Sequence, residues 1–353
     1  MKKLLLVLSF LFASATAYAD YRMIIPQEPG GGTSVWASIV AKNLEKFIGE
    51  KVLLEHIPGV NDITGPNKFQ AELRKDPKTI MVAHGGNGES FLTDKIEYSY
   101  DTWEPIALVN LNIVASHSTS IDPYKDKIKF GATAGRRPDV MAMVLLTCGP
   151  KANVDEYIAC YKQHVIYVKG MTPNEARLGA FRGELNTVRE TFASQKKFID
   201  PLIAEGKFKL WFSHGVLDLE TGGIKVDSNY KTAHFENLYK EKWGKAPSGD
   251  FYDAYLLVKN FRDVLQKSMW VDKNNPNADK IRQAVRDMLK DPSALAALIA
   301  DSGDYEWFVG KDMDKAYRTI RNQIKEVPLK ALVKFTAEGI GIEGSYKPDL
   351  VVK

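Results

Sequence analysis

Short apolar runs alternate with longer amphipathic stretches through the first 250 residues of the chain. The short runs are bounded by turn residues and predict strands at 23–25, 51–54, 79–83, 106–116, 129–132, 165–168 and 209–213. Apolar positions three or four residues apart predict helices at 34–47, 63–73, 139–146, 174–182 and 196–205. This alternation indicates an α/β fold with mostly parallel sheets, which bind ligands at the carboxyl ends of their strands.

After residue 250 the pattern becomes helical, with predicted helices at 251–267, 278–290, 292–301 and 312–325. A mature chain of about 330 residues is typical of two domains rather than one. We expect a discontinuous first domain, 20–115 plus 226–353, onto which the C-terminal helices pack. The second domain, 116–225, would be inserted into it, with crossovers near residues 116 and 225.

The first nineteen residues have the pattern of a secretory signal peptide. Lys2 and Lys3 precede an apolar run at 4–12, and Ala17-Tyr18-Ala19 forms a cleavage site. The run is too short to span a bilayer, and no cysteine follows it to carry a lipid. We therefore expect cleavage after Ala19 and a periplasmic protein. Loss of the two lysines leaves a net charge of about +2, which does not favour nucleic acid as a partner.

Cys148 and Cys160 are the two cysteines of the chain. In an oxidising compartment such a pair is a candidate for one local disulfide, and two free thiols are the alternative.

The segment 22–42 holds the clearest candidate for a binding site. A strand pattern ends at Pro26, three glycines follow at 30–32, and a helix pattern begins after Thr33 and Ser34. The first turn of a helix has unpaired N–H groups and a partial positive charge, and glycines let an anion approach them closely. The segment therefore predicts an anion seat.

Further glycine-containing turns follow predicted strands. They lie at 56–62, 84–88, 131–137 and 168–173. Each taken alone is also compatible with an ordinary strand-to-helix turn, because glycine is common there.

Enzyme signatures are absent from the sequence. It has no G-K-[ST] phosphate loop, no G-x-G-x-x-G, no G-x-S-x-G elbow and no H-E-x-x-H or C-x-x-C spacing among its six histidines and two cysteines. We therefore expect a protein that is not an enzyme and that uses neither a cofactor nor a metal.

Taken in order, these turns resemble those of the tripartite tricarboxylate transporter receptors, the Bug or TctC-like periplasmic solute-binding proteins. The matching segments are P-G-G-G-T at 29–33, H-I-P-G at 56–59, the glycines at 85–88 with Y-D-T-W-E-P-I-A-L-V at 100–109, and V-K-G at 168–170 followed by G-E-L at 183–185. The order and spacing match over most of 20–215. The set is informative because these segments occur in the same order.

The resemblance implies a type II-like periplasmic binding protein fold, in which two hinge-linked, doubly wound domains close on a ligand in the cleft between them. It implies a monomer that captures a small mono-, di- or tricarboxylate and delivers it to a membrane permease. The implied ligand-binding residues of the first domain are Gly31, Gly32, Thr33 and Ser34, with Gly59, His84, Gly86 and Asn87 as further candidates. Those of the second domain are Thr133, Ala134, Gly135 and Arg136.

Two departures from the family pattern bear on the ligand. The family usually has Asp and Arg where this chain has Ser34 and Ser38, so one acidic group is lost from the pocket mouth. The central turn has Arg136 and Arg137 in place of the usual G-[ST]-x-x-H. One of these arginines could hold a carboxylate through two parallel hydrogen bonds, or both could lie on a solvent face.

Two other functions stay open on the sequence. A secreted enzyme could use the first glycine turn as an oxyanion or phosphate seat, with a nucleophile or base near Ser34 or His84. A receptor-like domain could also sense solutes and signal to a membrane kinase.

We predict that Gly31→Val abolishes carboxylate binding without unfolding the protein. A β-branched side chain blocks close approach to the backbone and resists positive φ. Titration calorimetry and thermal unfolding of the variant check both parts. Retained affinity would show that the glycine run only turns the chain.

Overall fold

The computed structural model describes residues 20–59, 62–93, 96–132, 135, 137–342, 345–346 and 348–352. Its strands are β1 (Tyr21–Ile25), β2 (Val52–His56), β3 (Thr79–Ala83), β4 (Trp103–Val109), β5 (Ile113–Ser118), β6 (Ile128–Ala132), β7 (Val165–Lys169), β8 (Thr187–Thr191), β9 (Phe208–Ser213), β10 (Val216–Leu217), β11 (Ile224–Lys225), β12 (Ser268–Asp272) and β13 (Trp307–Val309). The signal peptide predicted at 1–19 lies outside the described residues.

The α-helices lie between these strands and after them. They are α1 (Gly32–Ile48), α2 (Thr64–Ala71), α3 (Gly85–Ser90), α4 (Pro138–Cys148), α5 (Val154–His164), α6 (Pro173–Phe181), α7 (Phe192–Ser194), α8 (Asp200–Ala204), α9 (Phe235–Trp243), α10 (Asp250–Val264), α11 (Ala278–Lys290), α12 (Pro292–Ser302), α13 (Lys311–Arg321) and α14 (Glu326–Lys334). Among the described residues, no helix is long and apolar enough to cross a membrane.

The first sheet is covered by helices on both faces. Its strand order is β13-β4-β12-β3-β1-β2. In β1, Tyr21, Met23 and Ile25 belong to a core shared with α1, α11 and α12, whereas Ile24 belongs to the core on the α3 and α10 side. Burial on both faces explains why its strands are continuous apolar runs rather than alternating ones.

The second sheet has the order β7-β6-β8-β5-β9. The α/β class predicted from the sequence is confirmed, and both sheets are mixed: most strands run in one direction, with β12 and β13 reversed in the first sheet and β5 reversed in the second. β12 runs antiparallel to β3 and β4, and β5 runs antiparallel to β8 and β9. These strands enter their sheets from distant parts of the chain, so their direction depends on the tertiary path rather than on the local pattern.

The chain passes from one sheet to the other within three residues. The sequence predicted one strand at 106–116, but β4 ends at Val109 in the first sheet and β5 begins at Ile113 in the second. The Asn110 side chain bonds both the N–H and the C=O of Leu217, and Asn112 Nδ2 donates to Asp227 Oδ2 at 2.7 Å. These asparagines tie the outgoing crossover to the returning chain.

Helix α10 joins the two halves of the molecule. It packs on α3, α13 and α14 beside the first sheet, and on α4 and α5 beside the second. The aliphatic and aromatic residues of both contacts form one continuous core. Because it is buried almost all round, α10 fixes how the halves meet.

Several elements were missed in the sequence pattern. The turn predicted at 84–88 is mostly helix α3, and the strands β8, β12 and β13 and the helices α5, α9 and α14 were not predicted. β12 begins four residues after α10 ends, so its apolar residues extend the helical pattern without a break signal. A local pattern does not separate two adjoining buried elements.

Cys148 and Cys160 form a disulfide that joins the end of α4 to α5 across twelve residues.

We expect the double variant Cys148→Ser/Cys160→Ser to lose about 2–3 kcal/mol of unfolding free energy, because the cross-link restricts the unfolded chain. Urea unfolding measures the loss. Reductant should destabilise the wild type by a similar amount and leave the double variant unchanged. A wild type insensitive to complete reduction would contradict this expectation.

Candidate functional site

Three turns of the first sheet meet at the carboxyl ends of β1, β2 and β3. The backbone C=O of Gln27 lies 2.8 Å from His56 Nδ1, and the Gln27 side-chain amide lies 2.9 Å from His84 Nε2. His84 Nδ1 in turn lies 2.8 Å from Asp62 Oδ2. These bonds bring together turns that the sequence pattern had identified separately.

The hydrogen-bond partners of His84 indicate which of its ring nitrogens carries the proton. Nδ1 lies within hydrogen-bond distance of both the Asp62 carboxylate and the Gly86 N–H, which is 3.1 Å away, and one ring nitrogen cannot donate and accept at once. Because an ionised carboxylate only accepts, we assign the proton to Nδ1 and let Nε2 accept from the Gln27 amide. The Gly86 N–H then requires another acceptor.

The first turn of α1 lies beside this network. Gly31 is the residue before the helix, Gly32 is exposed, and Thr33 and Ser34 are buried. The hydroxyl of Thr33 donates to the Gln266 carbonyl at 3.5 Å, the upper limit for such a bond. The predicted strand, glycine turn and helix start are therefore present.

The conformational reason given for Gly31 is wrong. Its φ is −67°, a value open to any residue, and the positive φ of the turn belongs to Gly30, at 86°. A Cβ on Gly31 would lie 3.1 Å from Gln27 Oε1. The effect of Gly31→Val on binding therefore depends on steric blocking alone.

Two glycines of the 84–88 turn serve packing. A Cβ on Gly85 would collide with Gln266 Oε1, and one on Gly88 would collide with the Phe261 carbonyl, both at the contact with α10. Gly86 instead faces Asp62, whose carboxylate occupies the place of its missing side chain. Of these three glycines, Gly86 is the one that faces the network.

Asn87 and Gly59 have different surroundings. Asn87 is fully buried, and its Oδ1 accepts from the His84 N–H and the Tyr100 hydroxyl. Its Nδ2 has no hydrogen-bond partner among the described residues. Gly59 is exposed and packs against Thr64.

Gly135, which follows β6 of the second sheet, lies beside Glu89 of α3. A Cβ built on Gly135 would lie 2.6 Å from Glu89 Oε2 and 3.9 Å from Arg137 Nε. Glu89 also pairs with Arg262 of α10, and both side chains are 5% exposed. Gly135 thus meets the first-sheet turns at a buried ion pair. Thr133, Ala134 and Arg136, also predicted as ligand-binding residues, lie outside the described residues.

Arg137 does not lie on a solvent face. It is 3% exposed and forms a hydrogen bond with the Tyr167 hydroxyl, close to Asp139.

A second buried network joins the second sheet to α10. Asp139 Oδ1 lies 3.2 Å from His214 Nε2, and His214 Nδ1 lies 2.9 Å from the Tyr255 hydroxyl on α10. Arg189 Nε donates to Asp139 Oδ2 at 3.3 Å. Burial alone would raise the pKa of Asp139, but the positive charge of Arg189 and the hydrogen bond with His214 hold it well below its ordinary value of 3.8.

Two further charges of α10 are fully buried one helical turn apart. Burial lowers the pKa of Lys259 to about 8, against the opposing effect of Asp263 and Glu236, and burial raises the pKa of Asp263. Lys259 Nζ and both carboxylate oxygens of Asp263 have no hydrogen-bond partner among the described residues. Charge burial of this kind is unfavourable relative to an arrangement in which these groups are hydrated.

The arrangement does not resemble a nucleophile and its base. Ser34 Oγ lies 3.5 Å from His56 Nε2, but the opposite ring nitrogen faces the Gln27 carbonyl rather than a carboxylate. No group of three metal-binding side chains occurs among the described residues. A surface depression of about 560 Å³, lined by Arg74, Asp101, Asp272 and Lys273 among others, lies away from the network.

Four residues of the network were not predicted as site residues from the sequence: Gln27, Asp62, Glu89 and Arg262. Gln27 and Asp62 lie within the turns it identified, so the turns themselves were the available signal. Glu89 and Arg262 gave no local signal, because α3 was not predicted and Arg262 comes from a helix far along the chain.

Asp139→Asn is expected to lower the free energy of unfolding at neutral pH by about 3–5 kcal/mol, because Arg189 and His214 lose a charged partner. The pKa of Asp139 is lower in the folded protein than in the unfolded chain. Its contribution to the free energy of unfolding is therefore complete above the pKa of the unfolded chain, and it is lost as the pH falls through the pKa of the folded protein. The difference in the free energy of unfolding between wild type and variant, measured by urea unfolding, should therefore become smaller below about pH 4.

The exposed residue Asp304 provides the matched control, and Asp304→Asn should change stability by less than about 0.5 kcal/mol. If Asp139→Asn lowered the free energy of unfolding by the same amount at acidic and at neutral pH, the role assigned to the ion pair would be contradicted.

Solved structures of low sequence identity share this fold. The periplasmic binding protein BugD is 16% identical, with a TM-score of 0.55 over 91% of this chain and 98% of that one. MatC from Rhodopseudomonas palustris, solved with bound malate, is 14% identical, with a TM-score of 0.57 over 89% and 98%. A second R. palustris protein, solved with adipate, is 12% identical, with a TM-score of 0.57 over 91% and 97%.

No family model and no curated relative matches the sequence. The resemblance predicted from the ordered turns is confirmed at the level of the fold. The chain has the α/β fold of Bug-type periplasmic binding proteins.

Proposed function

We propose that the chain is a periplasmic solute-binding receptor of the tripartite tricarboxylate transporter type. It captures a small organic carboxylate between two domains and delivers it to a membrane permease. The observation that carries the proposal is the meeting of the first-sheet turns with the Gly135 turn of the second sheet at Glu89. The signal peptide predicted at 1–19 supports a periplasmic location for this activity.

The predicted domain division fits this function. The first domain comprises 20–115 and 226–353, and the second comprises 116–225. The sheet change between Val109 and Ile113 and the asparagine bonds at the crossover support a hinge there. Hinge closure excludes water from the ligand and strengthens each charged contact.

Two kinds of group would hold the guest. The first turn of α1, at Gly31, Gly32, Thr33 and Ser34, offers backbone N–H groups and a favourable helix dipole. The central turn, with Thr133, Ala134, Gly135 and Arg136, offers further N–H groups and a guanidinium. Gly59, Gly86 and Asn87 would complete the wall on the first side. That MatC was solved with malate and its R. palustris counterpart with adipate supports a carboxylate guest.

A thermal-shift screen against mono-, di- and tricarboxylates tests the proposal. A guest that binds only the folded state at a hundred times its dissociation constant stabilises the protein by about 2.7 kcal/mol, which raises the unfolding temperature by several degrees. For any acid that gives a thermal shift, Arg136→Ala should weaken binding about tenfold or more, because the guanidinium would pair with the carboxylate of the ligand.

Arg182→Ala is the matched control, because Arg182 is an exposed arginine of the second side, paired with Glu184. Its affinity should equal that of the wild type. Absence of a concentration-dependent shift with every organic acid would refute the receptor function.

A further inference from the structure

One end of the second sheet is rich in exposed lysines. Because β5 runs opposite to its four neighbours, its carboxyl end lies beside the amino ends of β6, β7, β8 and β9. Exposed lysines lie at these strand starts or in the segments that lead into them: Lys125, Lys127 and Lys129 at β6, Lys162 before β7, and Lys207 and Lys209 at β9. We call this region the basic end of the second sheet.

Hydrogen bonds of the sheet hold these strand starts side by side. The first residue of β6 pairs with the first residue of β7, and the last residue of β5 pairs with the first residue of β9. Between them, the Asn186 side chain, just before β8, donates to the Lys127 carbonyl at 2.9 Å. Neighbouring strands lie about 4.8 Å apart, so the five strands spread the lysines over about 19 Å.

The carboxylates of this end neutralise only some of its lysines. Asp122 Oδ2 lies 3.0 Å from Lys125 Nζ, and Glu205 Oε2 lies 2.7 Å from Lys207 Nζ. Asp126 accepts the backbone N–H of Asp122. The acids of this end are thereby engaged with the loop before β6 and the turn before β9.

The neighbouring elements bring no excess of acid. Before β8, Glu184 pairs with the exposed Arg182, and from α9 the opposite charges of Glu241 and Lys242 both lie near Tyr124. Four exposed lysines of the basic end have no acidic partner among the described residues: Lys127, Lys129, Lys162 and Lys209. Since the mature chain has a net charge of only about +2, positive charge is concentrated at this end.

An apolar side chain lies among these lysines. Ile166 is the second residue of β7, is 44% exposed, and is the register partner of Lys129. Its strand is the outermost of the sheet, so the side chain lies at a free edge. Lysines combined with an exposed apolar residue suit the boundary between headgroups and acyl chains of a lipid layer.

We infer that the basic end of the second sheet binds the surface of an anionic phospholipid bilayer. Lysines are flexible point charges, and a spread row of them matches a diffuse layer of phosphates better than one defined anion, which the planar fork of arginine recognises. Each lysine near such a surface raises the partition coefficient about fivefold, so four raise it by several hundredfold.

This attachment is compatible with solute capture. Gly135 follows the carboxyl end of β6, whereas the basic end lies at the amino end of the same strand. The two regions are therefore separated by the length of the strand. The inference goes beyond the receptor function and does not depend on the identity of the solute.

Co-sedimentation of the full mature chain with phospholipid vesicles tests the inference. At about 0.15 M salt, the partition coefficient should be about a hundredfold or more higher for vesicles with about 30% phosphatidylglycerol than for pure phosphatidylcholine. At about 1 M salt the preference should disappear, because the Debye length falls to about 3 Å. The variant Lys127→Gln/Lys129→Gln/Lys209→Gln should retain a preference of less than about tenfold.

The matched control is Lys42→Gln/Lys68→Gln/Lys311→Gln. It removes three exposed lysines of α1, α2 and α13 that have no acidic partner among the described residues, and it should bind anionic vesicles within about threefold of the wild type. Thermal unfolding checks that both variants are folded.

Two outcomes would overturn the inference. A wild type without preference for anionic vesicles would leave an acidic protein as the partner of these lysines, and an equal loss in both triple variants would show that net charge alone attracts the protein. Neither outcome bears on the receptor function, which the thermal-shift screen with organic acids tests separately.

Discussion

The buried ion pair between Glu89 and Arg262 is the interaction on which the arrangement of this protein depends. It joins α3, which follows the third strand of the first sheet, to α10, which spans both halves of the molecule. The other oxygen of the same carboxylate, Glu89 Oε2, lies against Gly135, which follows β6 of the second sheet. An uncompensated charge at this depth would be strongly destabilising, so both partners must be kept together. Gly135 therefore lies beside a pair whose two members cannot be separated without a large loss of stability.

Several glycines of this region are needed because neighbouring atoms occupy the place where a side chain would lie. Gly85 and Gly88 let α3 lie directly on α10, and Gly86 and Gly135 admit the carboxylates of Asp62 and Glu89. A glycine-rich turn at a strand end can therefore reflect helix packing as well as room for a neighbouring side chain. In this chain the two uses occur within four consecutive residues.

The contact between the two halves is rich in polar groups. Asp139, His214 and Tyr255 form a hydrogen-bonded path from the second sheet to α10, whereas Lys259 and Asp263 are buried beside it without such bonds. Satisfied groups favour the observed arrangement, and unsatisfied groups favour hydration. The contact between the two halves therefore combines groups that favour the observed arrangement with groups that oppose it.

The sequence by itself determined the α/β class, the glycine turn that leads from β1 into α1, and the order of the turns. Each of these depends on residues within about ten positions, such as Pro26, the glycines at 30–32 and the start of α1. The tertiary structure decided the directions of β5 and β12, the break between Val109 and Ile113, and the meeting of Asp62, Glu89 and Arg262. These features join residues that are distant in the chain, as Glu89 and Arg262 are at 173 positions apart. A local pattern of apolar and polar residues contains no information on such pairings.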